Sequence, residues 1–149
     1  MFMTGSSAID AERAFSRAAR GRRRAALARR LRRAPGDDGR LCVYGQPQLA
    51  RAAAGSARGV RDIPIDAISG TLEPSRAAMF DRCFRPAAGA RWLWERVWLA
   101  EYHCAVLPPI SVIQVGDSYA VRDGHHRVSV AKARGALSID ATVDAVDLL

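Results

Sequence analysis

Residues 110–146 constrain the fold more than any other part of the chain, because they switch between two periodicities within a short span. Residues 110–115 (Ile-Ser-Val-Ile-Gln-Val) are rich in β-branched side chains suited to a pleated strand, and they follow Pro108-Pro109, which ends any helix before them. Gly116-Asp117 supplies a hairpin turn into a second strand over 118–122. Gly124 then begins a helix over 128–134, Gly135 stops it, and 138–146 returns as a strand. The fold class predicted is α/β (α+β), a small mixed sheet flanked by helices.

The same two periodicities extend upstream. Residues 60–65 predict a strand, with Pro64 marking an edge or the strand's end, and 66–70 turn the chain. Helical periodicity runs over 75–84 and 89–104; in the second, Leu93, Val97, Ala100 and Cys104 share a face, with Trp94 and Trp98 beside them. Three tryptophans within seven residues suit core packing, with a base-stacking platform as the alternative. A short strand over 41–44 and a short helix over 48–54 complete the expectation, with a break at 55–59.

Charge divides the chain. Residues 1–40 hold 11 arginines against four acids, a net of +7, whereas 41–149 hold 12 cations against 11 acids, a net of +1. The division predicted is an arginine-rich helical arm and linker over 1–40, closed by the breaker cluster at 35–39, and a domain over 41–149 best supported at 60–146. The arm should be helical over 10–33, with Asp10 capping it. Arg13, Arg17, Arg20 and Arg24 recur on one face, opposite a thin apolar stripe that predicts weak packing. That face is a candidate nucleic-acid-binding surface. Against this, 22 arginines to one lysine also fit a coding bias that swells a solvated helix with arginine.

Hydrophobic content of 49% supports one modest core. No run approaches the roughly 18 apolar residues of a membrane span, and residues 1–7 lack the apolar centre of a secretory signal, so the expected location is cytoplasmic, with no membrane partner. Cys42, Cys83 and Cys104 are widely spaced and form no CxxC pair, which argues against a disulfide framework or zinc ribbon, and no metal site is assigned.

The chemistry concentrates in residues 123–127, Asp-Gly-His-His-Arg. A strand, a glycine and a helix whose first turn carries His125, His126 and Arg127 form an arrangement in which open backbone N–H groups and cations converge on a phosphate. Arg127 offers a planar fork for phosphate oxygens, or else a salt bridge to Asp123 or Asp117. Asp123 serves as a ligand or as the helix cap. Gly124 supplies backbone geometry, and of the two histidines one should face the anion, with His126 favoured, while the other packs.

Two blocks, Ile63-Pro64-Ile65-Asp66-Ala67-Ile68 and the stretch from Pro108-Pro109 to Gly135, resemble the superfamily that joins ParB N-terminal domains, sulfiredoxins and free serine kinases. The resemblance implies phosphate binding at Gly124, His125, His126 and Arg127, and a nucleotide (ATP, ADP or CTP) with Mg²⁺ as the ligand. In ParB proteins the box is Gly-Glu-Arg-Arg; here histidines replace two of its residues, and the length leaves no room for a complete partition clamp. The sulfiredoxin box is Gly-Cys-His-Arg, and His125 stands where its catalytic cysteine would be, so sulfinic acid reduction is not expected. The Asp-Gly-His-x-Arg box of free serine kinases matches most closely. Those enzymes place a glutamate after the opening strand as general base, which makes Glu73 the catalytic candidate, or else a solvated loop residue.

Two functions remain from the sequence. One is a phosphate- or nucleotide-binding protein, hydrolysing a nucleoside triphosphate or transferring its phosphoryl group. The other is a non-catalytic DNA-associated module that uses the basic arm.

Overall fold

A computed structural model describes residues 6–32, 36, 38–45 and 59–144. The fold is mixed α/β: a six-stranded mixed sheet, helices, and a long helix at the N-terminus. Helix α1 (Ser7–Arg32) is followed by β1 (Cys42–Val43), β2 (Gly59–Pro64), a 3-10 turn (Ile65–Ala67), β3 (Ile68–Thr71) and the short α2 (Pro74–Ala77). A second 3-10 turn (Ala88–Ala90) leads into α3 (Arg91–Tyr102), and then come β4 (Ile110–Val115), β5 (Ser118–Asp123), α4 (His125–Ala133) and β6 (Ser138–Asp144).

The sheet order is β1-β3-β5-β4-β6-β2. β4 and β5 form the expected antiparallel hairpin, β4 and β6 run parallel, and β2 lies antiparallel to β6 at one edge. That edge place suits Pro64, which has no N–H to donate. Strands β2 and β3 stand four places apart in the sheet, about 19 Å if it were flat. The few residues joining Pro64 to Ile68 reach only about 14 Å. The sheet must therefore curl to bring these two strands together.

One face of the curled sheet presents Ile63, Ile110, Val112, Tyr119, Val121, Ala141 and Val143 at period two, and they join a single core with Phe80, Phe84, Trp94, Val128 and Val130. Helix α1 belongs to that core. Ala11, Phe15 and Ala19 are buried, and the Phe15 ring meets Trp94 edge-on, 5.6 Å between centroids at 74°. The stripe that looked too thin to pack does so because its one aromatic residue finds the tryptophan of α3.

Several expectations are corrected. Residues 66–70 hold a 3-10 turn and then β3, a strand hidden from pattern reading because it carries serine, glycine and threonine. The helix expected over 75–84 stops at Ala77, and buried Asp81 ties the following turn by accepting from the N–H groups of Cys83 (2.9 Å) and Arg85 (2.8 Å). Within it Phe84 sits at φ 59°, in the left-handed region, so that its ring enters the core. On α3 the buried face centres on Trp94, while Leu93 is 43% exposed. The helix expected over 48–54 and the end of the last strand at 145–146 lie outside the described residues.

Candidate functional site

β3 and β5 are parallel neighbours, so Thr71 and Asp123 finish at the same end of the sheet, and the antiparallel β4 begins there. The carboxyl ends of β3 and β5, the start of β4 and the first turn of α4 therefore meet at one place. Gly124 makes the turn. It sits at φ 107°, and a Cβ on it would come within 2.5 Å of the Ile110 side chain, so both the backbone and the close approach require glycine.

α4 begins at His125, three residues earlier than its apolar pattern indicates, so the box forms the first helical turn itself. The first intrahelical bond runs from the Val128 N–H to the Gly124 carbonyl, 3.1 Å. The N–H groups of His125, His126 and Arg127 precede that ladder, and among the described residues no side chain caps them. Asp123 is the last residue of β5 and makes no cap bond among the described residues; its charge raises the pKa of His125 and of Arg127. The C-terminus closes on Gly135, with the Ala136 N–H donating to the Ala131 carbonyl at 2.9 Å.

His125 is the histidine that packs. Its Nε2 lies 2.6 Å from Thr71 Oγ1, and its ring stacks on Phe80 at 6.3 Å and 17°. The Thr71 hydroxyl also accepts from the Glu73 N–H at 2.9 Å, so one buried oxygen pins both the imidazole and the loop that carries Glu73. Burial, the nearby Arg76 cation and His126 together lower the His125 pKa to about 4, against a smaller opposite pull from Asp123.

His126 meets the same Phe80 ring edge-on, 5.2 Å between centroids. It is 9% exposed, and its buried Nε2 has no hydrogen-bond partner among the described residues. Its pKa is also lowered, by burial first and by Arg76 second. Arg127 is half-buried. One of its terminal nitrogens is buried without a partner, the other reaches the Pro109 carbonyl at a long 3.5 Å, and no salt bridge to Asp123 or Asp117 forms among the described residues. Burial lowers its pKa, opposed by Asp123 and Glu101.

The fold thus gathers Asp123, Gly124, His125, His126 and Arg127 at one helix start, with Glu73 held nearby by its backbone while its side chain is exposed. The arginines of α1 lie elsewhere: Arg13 and Arg17 line a cleft behind the C-terminal half of α4, and Arg20 and Arg24 are exposed outside its lining. Sequence reading missed Thr71, Phe80 and Glu101. Thr71 had one signal, a β-branched hydroxyl two residues before Glu73; Phe80 and Glu101 are brought in by packing alone.

No family model matches the chain, and neither does any curated protein. Among solved structures, sulfiredoxin from Arabidopsis thaliana is similar, at 18% identity and a TM-score of 0.41, the match covering 59% of this chain and 86% of that one.

Proposed function

We propose that the protein binds a phosphorylated ligand, a nucleotide such as ATP, ADP or CTP with Mg²⁺, at the first turn of α4. The observation that carries this reading is a half-buried guanidinium, Arg127, with a nitrogen that lacks a partner among the described residues, beside three backbone N–H groups uncapped among them. A bound phosphate supplies the acceptors these donors lack, and the helix dipole adds to the attraction. His126 and Arg76 add a titratable and a fixed cation to the same anion, while His125 supports the turn from beneath through Thr71. Mg²⁺ would sit on the phosphates with Asp123 as its nearest carboxylate in the box.

Phosphoryl transfer or hydrolysis at this site requires a base, and Glu73 is the carboxylate on the adjoining loop. Calorimetry with ATP, ADP and CTP plus Mg²⁺ tests binding: heat with at least one is expected, lost in Arg127→Ala. Silence with all three at millimolar concentration overturns the reading. Phosphate release that persists in Glu73→Gln removes Glu73 from it.

A further inference from the structure

A cleft of about 860 Å³ lies between the first half of α1, the turn at residues 83–86, the last turn of α3 and the C-terminal half of α4. Five cations line it: Arg13, Arg17, Arg85, Lys132 and Arg134. Among the described residues Asp10 is the one carboxylate in the lining. Arg85 and Arg134 are partly neutralised by Asp81 (3.4 Å) and Glu101 (3.7 Å), but Arg13, Arg17 and Lys132 enter no ion pair among the described residues. Like charges one turn apart on a helix repel, so this concentration opposes folding and is relieved by an anion.

The same wall carries an aromatic shelf. Trp98 and Tyr102, one turn apart on α3, stack at 5.2 Å and 13°, with the Arg134 guanidinium 5.8 Å from the Trp98 ring centre. Tyr102 is 38% exposed and also meets the His103 ring at 5.3 Å and 86°. Beyond the cleft the arginine face continues through exposed Arg20 and Arg24. From Arg13 to Arg24 it runs about 16 Å along the helix, longer than the phosphate chain of one nucleotide.

We propose that this cleft binds single-stranded nucleic acid, with the backbone along Arg13, Arg17, Arg20 and Arg24 and an unpaired base on Tyr102. A charged groove beside an aromatic platform is how a strand is held without sequence preference. A duplex keeps its bases stacked on one another and offers the shelf no face. The inference does not depend on the phosphate reading of the first turn of α4, which uses the other half of that helix.

Fluorescence anisotropy of the full chain with labelled oligothymidylate, a duplex of equal length and an abasic strand tests it. The single strand should bind about tenfold or more tighter than the duplex. Arg13→Glu with Arg17→Glu should weaken binding about tenfold or more and flatten the salt slope by about 1.4, as two lost phosphate contacts require. Arg23→Glu with Arg96→Glu removes equal charge outside the cleft and should leave most of the affinity. Tyr102→Ala should weaken oligothymidylate roughly 5- to 150-fold and leave the abasic strand unchanged. Equal affinity for duplex, equal loss in the two charge-matched pairs, no effect of Tyr102→Ala, or competition by thymidine monophosphate at the same concentration as the oligomer would each overturn the proposal. Arg127→Ala should not alter strand binding, which separates this site from the nucleotide site.

Discussion

Helices α1 and α4 both carry cations, yet their charges have different physical standing. α1 has 26 residues, of which three are buried, and its arginines in the row from Arg13 to Arg24 are exposed. α4 has nine residues, of which six are buried, and its one arginine is half-buried with a nitrogen unpartnered. A solvated cation on α1 contributes little to folding and keeps its water until a partner arrives. A partly desolvated cation at the start of α4 has already given up water, so an acceptor placed there gains a strong charge-assisted bond. Exposure therefore separates the solvated cations of α1 from the partly desolvated one of α4.

The largest effect expected concerns how α1 is held. Phe15 is 4% exposed and packs on Trp94, and its removal should cost about 3–5 kcal/mol. Phe15→Ala should lower the urea midpoint and let amide hydrogens along α1 exchange rapidly, while those of α4 stay protected. Unchanged protection of α1 would show that the helix is held by something other than this one ring.

The next effect belongs to the buried histidine. The folded protein holds His125 at about 4, below the ordinary 6.5, so the unfolded chain takes up the proton first. The stability this contributes is complete above about 6.5, is lost as pH falls from 6.5 to about 4, and changes no further below that; it amounts to at most about 3 kcal/mol. His126 acts in the same direction. Imidazole resonances followed by NMR should show His125 still neutral at pH 5, and a transition near 6.5 would place its ring in solvent.

A smaller loss is expected from Thr71→Val, which keeps the shape but leaves the His125 Nε2 and the Glu73 N–H without their shared partner: about 1–3 kcal/mol by chemical unfolding. Thr71→Ser should recover most of it. An equal loss in both variants would assign the effect to packing rather than to the hydroxyl. The smallest effect is at the surface of α1, where Arg20→Ala with Arg24→Ala should change stability by no more than about 0.5 kcal/mol. A larger change would mean that these arginines hold the fold.

Legibility followed the same divide. The hairpin β4–β5, the helix after it and the returning strand could be read because β-branched runs and Gly116, Gly124 and Gly135 mark them locally. β3 could not, since Ile-Ser-Gly-Thr becomes a strand only by pairing with β1 and β5. The truncation of the helix at Ala77 depends on Asp81 capturing the backbone of the next turn. At the candidate site the box residues were legible as a motif, with His126 favoured to face the anion and His125 to pack, but the partners of His125 were not legible, because Thr71 and Phe80 reach it from 54 and 45 positions upstream.

The first turn of α4 is proposed as an anion site. It is tested most directly by titrating the isotopically labelled protein with sulfate, whose charge is fixed between pH 5.5 and 8, and following the backbone amides of His125, His126 and Arg127 with the His126 imidazole. These three amides should shift together, the His126 pKa should rise on binding, affinity should therefore strengthen toward lower pH, and Arg127→Ala should remove all of it. Amides that stay still through tens of millimolar sulfate, with an unchanged His126 titration, would contradict it.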